Sequence, residues 1–550
     1  MKITTINQNT PSFKGANLNI NALSDTHGQL GLMENLCAKI EENKQDIFLK
    51  EKEGNKNIFI VAGDWFMAGD VKGYKTNPDW NSQKYQLVFL NKLIHFIHNL
   101  SRHCEIIFSV GNHEFDAGEK EFSSSMDKIH GKIIMTNVNL ENSPELSELN
   151  KKKKITKSQI IKIKDDKNPF LSHKVLFIST IPSNMSYYNK KLKGIDFLDN
   201  VNKAQSKLNP DDFKNSLYET EKEIKDFKQK NKKGVVILLD HFAGEFQKEL
   251  LKKNLPINVI LSAHEHEDEK TISGNTLIVK LSQNFSKLEN IKIKFDDDGN
   301  IEEIKTKSVR NDRISKQKNV EEFYNKLFKK DLEQKYIIPS SDNVSLTLDG
   351  IRFENNYLAN YITDVIFYKI KQYYPEVDIF ALNSSSIRGS LLTQNEGQIN
   401  NTHLVMTLNG IKEEDANILI SKVTGLELLE IICDNILFND KNHQKNPLLQ
   451  YSGIKINKNT MLALLKKGME PSALCNLVKT TKDDKPIDLT KTYYLANVEK
   501  LFNKTKFDLL KNIYKSNRTH KTNLNAKELF KSYFEEGNNA VVAKKEERYY

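Results

Sequence analysis

Short, mostly apolar runs recur along the first half of the chain, and each one stops at polar residues. The runs span residues 18–23, 57–62, 104–110, 235–239 and 257–261. Residues 18–23 alternate between apolar and polar side chains, whereas 235–239 is apolar throughout. Runs of this length that end at glycine or polar residues are typical of β-strands. The pattern therefore predicts five strands.

Helical periodicity separates several of these strands. Residues 30–40 and 87–100 place apolar side chains three or four positions apart, and residues 206–233 are charged and mostly helical in pattern. Strands that alternate with helices predict a layered α/β domain with a buried sheet. In such sheets the functional side chains lie at the carboxyl ends of the strands. The predicted fold class is α/β.

The remaining segments predict how the chain divides. Residues 143–167 contain four consecutive lysines and predict an excursion on the surface, and residues 288–305 predict two strands joined by a turn. Residues 311–335 form a charged helix that suits a linker. We predict a flexible tail over 1–17, a first domain over 18–310, a linker helix over 311–341, a second α/β domain over 342–534 and a flexible tail over 535–550.

Length and composition constrain the number of domains and the partners of the chain. The chain has 550 residues, of which 38% are hydrophobic and 28% charged, and this length indicates at least two domains. The formal net charge is +10, from 82 basic and 72 acidic residues. A basic stripe interleaved with aromatic residues does not accompany this excess, so we expect no nucleic-acid partner.

Cysteine usage and hydropathy bear on the compartment. Cys37, Cys104, Cys433 and Cys475 are far apart and form no CxxC pair, which argues against a disulfide framework and a thiolate zinc site. The sequence has no apolar run long enough to span a bilayer. Residues 1–15 lack the apolar core of a secretory signal. We expect a cytoplasmic protein with no membrane partner; a periplasmic or extracellular location and the oligomeric state stay open.

The polar residues after the predicted strands form a set of metal ligands. They read Ser-Asp-Thr-His from residue 24, Gly-Asp from 63, Gly-Asn-His-Glu from 111, Asp-His from 240 and His-Glu-His from 264. Carboxylates, imidazoles and amide oxygens bind hard divalent cations and zinc. Each piece alone is common in surface loops and turns. All five at strand ends predict a site for two divalent metals, which is a means of attacking phosphate esters with water.

This order of motifs resembles that of the calcineurin-like metallophosphoesterases, and Gly-Asn-His-Glu-Phe-Asp at 111–116 is similar to their 5′-nucleotidase branch. The resemblance implies a four-layer β-sandwich flanked by helices, a linker helix and a second α/β substrate-binding domain. It implies that one metal is held by Asp25, His27, Asp64 and His266, and the other by Asp64, Asn112, His241 and His264. The metals could be Zn, Mn, Fe, Co or Mg, since all accept such mixed ligands.

The same resemblance gives His113 a role outside the ligand set. It implies that His113 meets the phosphate or the leaving oxygen and that Asp116 orients it. A carboxylate on one ring nitrogen fixes the tautomer and raises the basicity of the other nitrogen. Two positions depart from the family pattern: residues 262–263 read Ser-Ala where a glycine is usual, and Asp240 stands in place of threonine before His241. We expect Asp240 to be structural.

The second half of the chain carries a further resemblance. Asn-Ser-Ser-Ser-Ile-Arg at 383–388 resembles the Asn-Gly-Gly-Gly-Ile-Arg loop of the 5′-nucleotidase C-terminal domain. Other matches over about residues 345–510 are Arg352, Ile-Thr-Asp at 362–364, Thr-Gly at 424–425, Gln-Tyr-Ser-Gly at 450–453 and Tyr-Tyr-Leu-Ala at 493–496. The resemblance implies that Arg352 and Arg388 bind phosphate beside Asn383. Arginine suits this role because its planar fork pairs with two phosphate oxygens.

Departures in this half concern substrate recognition. The family's Gly-Gly-Asp-Gly-Phe loop corresponds to Asn-Lys-Thr-Lys-Phe at 503–507, which lacks the acid expected on the ribose hydroxyls and one of two aromatics expected on the base. Phe507 is the predicted surviving aromatic and Phe502 the alternative. Ordinary core packing is the competing interpretation for both residues.

Together these features predict a metal-dependent phosphoester hydrolase of the 5′-nucleotidase type, which releases phosphate from a nucleotide by two-metal-activated water. The alternatives are a cyclic-nucleotide phosphodiesterase or a sugar-nucleotide hydrolase on the same core, and a non-catalytic binding protein on this fold. The predicted cofactor is a pair of divalent metal ions, and the predicted partner is a small phosphorylated substrate. The resemblance also implies that rotation of the second domain presents this substrate to the metals.

Overall fold

A computed structural model of the protein reveals two compact units. It describes residues 2–5, 16–27, 32–66, 82–116, 118–165, 171–189, 192–203, 207–311, 315–327, 335–341, 344, 346–348, 350–352, 354–391, 398–408, 410–411, 415–441, 448–499, 501 and 508–549. The chain passes from the first unit to the second between Tyr324 and Asn325, inside the predicted linker.

The larger of two sheets in the first unit has eight strands. They are β1 (Lys2–Thr5), β2 (Asn17–Leu23), β3 (Asn55–Ala62), β4 (Glu105–Ser109), β5 (Lys132–Ile134), β7 (Ile155–Thr156), β15 (Lys287–Phe295) and β16 (Ile301–Arg310), in the order β1-β16-β15-β2-β3-β4-β5-β7. From β2 to β7 the neighbours are parallel, whereas β15 is antiparallel to both β2 and β16. The carboxyl ends of β2, β3 and β4 therefore share one edge.

The second sheet of this unit has six strands. They are β8 (Ser158–Lys164), β9 (Ser172–Thr180), β11 (Val235–Asp240), β12 (Val259–Ser262), β13 (Glu269–Ser273) and β14 (Thr276–Lys280), in the order β13-β14-β12-β11-β9-β8. The four central strands are parallel, and β8 and β13 are antiparallel edges. A short ladder pairs β6 (Val138–Asn139) with β10 (Asp196–Phe197). The carboxyl ends of β11 and β12 again lie at one edge.

The two sheets pack face to face, with helices outside them. Ile20 of the larger sheet and Phe177 of the smaller one share a buried core, and Ile224 and Phe246 cover the other face of the smaller sheet. The helices are α1 (Met33–Glu42), α2 (Lys44–Ile47), α3 (Ser82–Leu100), α4 (Glu119–Lys128), α5 (Pro144–Lys151), α6 (Met185–Tyr188), α7 (Lys214–Lys230), α8 (Gly244–Lys252) and α9 (Lys318–Leu327). The predicted sandwich flanked by helices is confirmed.

Strand β2 is buried on both faces despite its alternating sequence. Alternation commonly marks a strand with one face in water, yet every residue of β2 is buried. Asn19 Nδ2 donates to the carbonyl of Ile47 (2.7 Å), and Asn290 Nδ2 donates to the side-chain oxygens of Asn19 (2.7 Å) and Asn21 (2.8 Å). The polar face of β2 is thus buried because these amides satisfy one another.

The second unit is built around a five-stranded sheet. Its strands are β18 (Ile379–Asn383), β20 (Asn417–Thr424), β21 (Leu449–Ser452), β24 (Thr492–Val498) and β25 (Thr519–Asn525), in the order β21-β18-β24-β20-β25. β18 and β24 are parallel, and the other neighbours are antiparallel. Two small ladders pair β17 (Lys335–Ile337) with β19 (Gln398–Asn400) and β22 (Ile454–Ile456) with β23 (Val478–Thr480).

Helices cover both faces of this sheet. They are α10 (Tyr357–Tyr373), α11 (Asn401–Thr407), α12 (Gly425–Lys441), α13 (Lys458–Lys466), α14 (Asp508–Lys515) and α15 (Ala526–Glu535). Phe380 belongs to the core that contains Ile362 of α10, whereas its neighbour Ala381 belongs to the core that contains Leu428 of α12. Successive residues of β18 thus face opposite cores. The predicted second α/β domain is confirmed.

The predicted surface excursion at 143–167 is wrong in part. It contains α5, β7 and β8, and Ile161 and Ile163 of β8 belong to the core between the two sheets of the first unit. Lys162 and Lys164 alternate with them and are exposed. β8 is an edge strand, so a lysine face is tolerated there.

The chain ends also differ from the predicted flexible tails. Within the tail predicted over 1–17, β1 pairs with β16, while residues 6–15 lie outside the described residues. Within the tail predicted over 535–550, Ala543 N donates to the carbonyl of Pro339 (2.7 Å), and Arg548 and Tyr549 are buried. The charged sequence suggested a solvated tail, but the charge of Arg548 is paired inside the second unit, and this pairing permits its burial.

Membrane-crossing helices do not occur in the described part of the chain, whose helices are too short or too polar for that role.

Candidate metal centre and substrate-binding residues

The carboxyl ends of five strands bring the predicted metal ligands together. Asp25 and His27 follow β2, Asp64 follows β3, Asn112 follows β4, His241 follows β11, and His264 and His266 follow β12. Ligand atoms within 4.8 Å of one another form three groups, namely Asp25 with His27 and His266, His27 with Asp64 and His113, and Asp64 with His241 and His264. His27 and Asp64 each belong to two groups, so the groups adjoin.

The first group is buried and compact. Asp25 Oδ1 lies 3.1 Å from His266 Nε2 and 3.9 Å from His27 Nε2. His27 Nε2 lies 3.7 Å from Asp64 Oδ2. These side chains come from three separate segments of the chain, and none is more than 7% exposed. Carboxylate and imidazole atoms that converge in this way suit a divalent metal.

The second group also offers the lone-pair atoms that a metal requires as ligands. His241 Nε2 lies 3.1 Å from Asp64 Oδ2, and the rings of His241 and His264 are 5.2 Å apart. Asn112 is 3% exposed, and its side-chain oxygen has no hydrogen-bond partner among the described residues. A buried oxygen left in this state costs about 1–3 kcal/mol. A cation that accepts its lone pair removes this cost, so the residues present fit a metal.

The electrostatics of the cluster favour bound positive charge. Burial alone would raise the pKa of Asp64, but His241 beside it holds that pKa well below its usual range. Burial alone would lower the pKa of His241, but the Asp64 carboxylate outweighs burial and raises it to about 10. Burial and the neighbouring His241 lower the pKa of His264 to about 4. The carboxylate therefore stays ionised in the interior, where protonated His241 or a bound metal ion supplies the compensating positive charge.

Glycine at position 111 allows the loops to approach this closely. A Cβ atom there would lie 2.2 Å from Asp64 Oδ1 and 2.5 Å from His241 Nε2. Real side chains do not tolerate such distances, so the strand end at Gly111 must lack a side chain. The glycine of the Gly-Asn-His-Glu motif is thus explained by the space that the ligands occupy.

His113 lies at the rim of the cluster rather than inside it. Its Nδ1 donates to Asp116 Oδ2 at 2.6 Å, and its backbone N donates to Asp64 Oδ1 at 2.9 Å. The side chain of His113 is 24% exposed, whereas those of His27 and His241 are fully buried. The structure thus brings the predicted pair of His113 and Asp116 together, with the ring accessible to a ligand.

Three of the predicted substrate-binding residues lie around one short segment of the second unit. Arg352 O accepts from Leu448 N (3.0 Å), and Leu448 O accepts from Ser384 N (3.2 Å) at the start of the loop that leads to Arg388. Asn383 Oδ1 accepts from Ser385 N (2.8 Å), so this oxygen caps the turn. Both arginines are partly exposed. Leu448 thus links the backbone at Arg352 to the loop 383–388.

The fourth predicted substrate-binding residue, Phe507, lies outside the described residues, as does Phe502.

Comparison with known families identifies two domains in the chain. The profile of the calcineurin-like phosphoesterase family matches residues 18–268, and that of the 5′-nucleotidase C-terminal domain matches residues 338–511. The chain belongs to the 5′-nucleotidase family. The predicted family is confirmed, and the chain is a hydrolase of the metallophosphoesterase type. Members of this family normally bind divalent metals.

Solved structures share the fold over nearly the whole chain. The 5′-nucleotidase precursor of Thermus thermophilus is 16% identical, with 96% of this chain and 99% of that chain covered and a TM-score of 0.62. The sulfate thiohydrolase SoxB of Thermus thermophilus is 13% identical, with 98% and 97% covered and a TM-score of 0.62. A putative 5′-nucleotidase from Staphylococcus aureus is 13% identical, with 96% and 99% covered and a TM-score of 0.54. A search of curated proteins finds no match.

Two hydrogen bonds in the metallophosphoesterase domain fix histidine tautomers. His241 Nδ1 donates to the carbonyl of Ala62 (3.1 Å), and His27 Nδ1 lies 3.3 Å from Asn284 Oδ1, which accepts from it. Each Nε2 therefore faces the cluster, and it offers its lone pair to a metal when the ring is neutral. Sequence reasoning missed Asn284, because it lies in a turn before β15 and its partner is 257 residues away. No local signal marks this residue.

Sequence reasoning also missed the role of Glu114, the last residue of the Gly-Asn-His-Glu motif at 111–114. Its Oε2 accepts from the backbone N of Asp64 (2.9 Å) and of Gly111 (2.7 Å), and its Oε1 accepts from Phe66 N (2.9 Å). Burial and the nearby Asp64 raise the pKa of Glu114 to about 8. Glu114 thus joins the ends of β3 and β4. The available signal was the glutamate that ends the Gly-Asn-His-Glu motif, four residues after an apolar run.

Asp240 takes the structural role that was expected of it, without contacting the ring of His241. Its Oδ1 accepts from Thr180 Oγ1 (2.8 Å) and from the backbone N of Phe242 (3.0 Å), and its Oδ2 accepts from Gln247 Nε2 (2.8 Å). Burial raises the pKa of Asp240 despite these bonds. The carboxylate fixes the turn between β11 and α8, on which His241 sits.

Proposed function

We propose that the chain hydrolyses phosphate monoesters of nucleotides with two divalent metals held at the strand ends of the first unit. One observation carries the proposal: Asp64 Oδ2 lies 3.1 Å from His241 Nε2 and 3.7 Å from His27 Nε2, so it adjoins both ligand groups. A carboxylate has two oxygens and can therefore bridge two metals. A bridged pair of metals is an established device for phosphate ester hydrolysis.

The proposed ligand sets follow from these groups. Asp25, His27, Asp64 and His266 would hold one metal, and Asp64, Asn112, His241 and His264 would hold the other. When bound, the metals supply charge for the phosphate oxygens and lower the pKa of water. The unsatisfied oxygen of Asn112 and the fixed tautomers of His27 and His241 support this assignment.

We further propose that His113 assists departure of the leaving group. Its Nδ1 donates to Asp116 Oδ2 (2.6 Å), so Nε2 is the nitrogen that can hold a proton near a substrate. The carboxylate stabilises the protonated ring, which can then stabilise or protonate the leaving oxygen. The partial exposure of His113 supports the role, because a general acid must reach its substrate.

Arg352 and Arg388 are the proposed phosphate-binding residues of the second unit. Their support is positional, since Leu448 joins the backbone at Arg352 to the loop that carries Arg388. Asn383 contributes by shaping that loop, because its side-chain oxygen accepts from Ser385 N. A nucleotide is the proposed substrate because the chain is similar to 5′-nucleotidases over both domains.

Activity of the purified full chain tests the substrate class. The protein is stripped with a chelator, supplied separately with Mn, Co, Zn, Fe or Mg, and offered nucleoside monophosphates, cyclic nucleotides, sugar nucleotides and an aryl phosphate. We expect metal-dependent release of phosphate from the nucleoside monophosphates. Hydrolysis restricted to cyclic or sugar nucleotides would assign the corresponding alternative function, and hydrolysis of the aryl phosphate alone would contradict a nucleotidase.

Asp64→Asn tests the metal site itself. The variant should lose both bound metal, measured by elemental analysis, and hydrolysis, because Asp64 belongs to both groups. Asp165→Asn is the matched control. Asp165 is also buried, and its Oδ2 lies 3.0 Å from Nε2 of His173. His173 is near the start of β9, whereas the cluster lies at the carboxyl ends of the strands. It should keep metal and activity. Hydrolysis that survives Asp64→Asn would overturn the proposal.

A further inference from the structure

Residues near the end of the chain bind the edge strand of the five-stranded sheet. β21 is the outermost strand at its side of that sheet. The hydroxyl of Tyr549 donates to the carbonyl of Leu449, and Arg548 Nη1 donates to the carbonyl of Tyr451 (2.9 Å). An edge strand exposes backbone groups that lack a ladder partner. Here two of them are satisfied by side chains from residues 546–549, which we call the terminal strap.

Arg548 connects the terminal strap to α10 as well as to β21. The residue is 4% exposed, and its guanidinium pairs with Asp364 of α10 and with Glu546 Oε2 (3.0 Å). Asp364 in turn accepts from Ser452 Oγ of β21 (2.6 Å). A buried guanidinium is stable only with such partners, and removal of one partner is costly. The ion pair therefore fixes β21 against α10.

Backbone hydrogen bonds hold the terminal strap in the same place. Asn355 Oδ1 accepts from Arg548 N (2.9 Å) and Tyr549 N (3.3 Å), and Ile456 N donates to Arg548 O (2.7 Å). Asn360 Nδ2 donates to Glu546 O (2.9 Å). The position of the terminal strap is thus set by several bonds, so a single side chain can be altered without releasing the segment.

β21 is also the strand beside the candidate phosphate-binding residues. Leu449 is paired with Asn383 across the ladder. Leu448, directly before β21, bonds to Arg352 O and Ser384 N. The terminal strap therefore holds the outer side of the same segment whose inner side carries Arg352 and the loop 383–388.

We propose that the terminal strap, through Arg548 and Tyr549, positions Arg352 and Arg388 to bind the phosphate of the substrate. The inference rests on the proposed function of those two arginines. A loop that is ordered before binding loses less conformational entropy when it binds, so its ligand binds more tightly. Both residues are positioning residues, since they act through β21 and need not touch the substrate. The terminal strap lies beyond the matched 5′-nucleotidase domain, which ends at residue 511.

Tyr549→Phe tests the inference with the loss of one hydroxyl. We expect KM for a nucleoside monophosphate to rise about five-fold, the effect of one hydrogen bond, with kcat and metal content unchanged. Tyr533→Phe is the matched control, because the Tyr533 hydroxyl is also buried and accepts from Val541 N (2.8 Å) near the terminal strap. It does not bond to β21, so KM should stay at the wild-type value. An unchanged KM in Tyr549→Phe contradicts the inference.

A double-mutant cycle separates positioning from general destabilisation. If the terminal strap acts through Arg388, Tyr549→Phe should raise KM in the wild-type background and hardly at all in Arg388→Ala. An equal rise in the wild-type, Arg388→Ala and Arg352→Ala backgrounds overturns the inference. Arg548→Lys is a second variant: lysine keeps the charge but lacks the planar fork that reaches both Asp364 and the Tyr451 carbonyl. We expect it to raise KM in the same direction.

Hydrogen exchange provides a measurement that does not depend on catalysis. In Tyr549→Phe the backbone amides of residues 384–388 and 449–452 should exchange faster than in wild type, and in Tyr533→Phe they should not. Faster exchange in a protein that hydrolyses no phosphate ester means that the proposed function fails while the terminal strap still orders the loop. Unchanged exchange in Tyr549→Phe and Arg548→Lys means that the positioning role is wrong.

Discussion

At the scale of single residues, the candidate ligands adopt backbone conformations that most residues avoid. Asp25, His27, Asp64, His264 and His266 have φ angles of 47°, 45°, 49°, 71° and 60°. The left-handed region costs a residue with a side chain about 1–2 kcal/mol relative to the right-handed one. Such strain clusters at functional sites and persists when the surrounding structure enforces it. Here it occurs at five of the seven candidate metal ligands.

Asp116→Asn tests the proposed partnership with His113. An amide can accept from Nδ1 but cannot stabilise the protonated ring, so we expect kcat to fall about 10- to 100-fold with metal content unchanged. The measurement is steady-state kinetics of the metal-loaded enzyme. In a His113→Ala background the same change should have little further effect, because the two residues act as a unit. Independent losses that add in the double variant would contradict the partnership.

Residue-scale prediction from sequence succeeds where a residue is marked by its neighbours. Asp64 and His241 were predicted because each stands two positions after an apolar run, and the structure places both in the cluster. Asn284 could not be predicted, because its role comes from a contact 257 residues away. The flexible tail over 535–550 was predicted wrongly because pairing of Arg548 with Asp364 depends on tertiary contacts.

At the scale of elements, the site depends on strands whose polar side chains are also buried. The amide of Asn290 on β15 donates to Asn19 and Asn21 on β2, and Asn19 Nδ2 donates to Asn57 Oδ1 on β3 (3.0 Å). These bonds join three adjacent strands of the larger sheet below the ends that carry Asp25 and Asp64. The network thus fixes the relative positions of β2 and β3.

Asn290→Ala should destabilise the first unit by about 1–3 kcal/mol, since it leaves the buried oxygens of Asn19 and Asn21 without their donor. The free energy of unfolding in denaturant measures the effect. Asn142→Ala is a suitable control, because Asn142 is exposed in the loop after β6, and it should change stability by less than about 0.5 kcal/mol. Equal effects of the two substitutions would show that the buried network contributes little.

The prediction of strands depended on how distinct the apolar run of each strand is in the sequence. β3 and β11 were predicted from apolar runs that stop at Gly-Asp and Asp-His, and they occur within two residues of the predicted starts. β8 was missed because lysines alternate with its isoleucines and four lysines precede it. Its identity depends on pairing with β9, which residues 158–164 alone do not specify.

At the scale of the whole molecule, the chemistry and the candidate substrate residues belong to different units. All seven candidate metal ligands precede residue 267, inside the first unit, whereas Arg352 and Arg388 belong to the second. Metal binding should therefore stabilise one unit directly. Because ligand binding stabilises the structure that binds it, the two units should respond differently to metal.

Metal removal tests this division. We expect chelation of the metal-loaded protein to speed amide exchange in the first unit, with little change over residues 335–549 of the second. Saturation at 100 times the dissociation constant stabilises a binding unit by about 2.7 kcal/mol, which corresponds to about 100-fold slower exchange through unfolding. Asp64→Asn should show no response to the chelator. A uniform response along the wild-type chain would mean that the units unfold together.

The sequence by itself determined the α/β class, the family and the identity of the candidate ligands. Strand periodicity and polar residues after apolar runs are local patterns, which indicated the class and the candidate ligands, and the order of the motifs along the chain carried the resemblance to the family. Only the tertiary structure decided that Asn284 and Glu114 orient the candidate ligands, that the amides of β2 are buried, and that residues 546–549 bind β21. These outcomes depend on contacts between residues far apart in the chain, where burial and the pairing of polar groups are settled jointly.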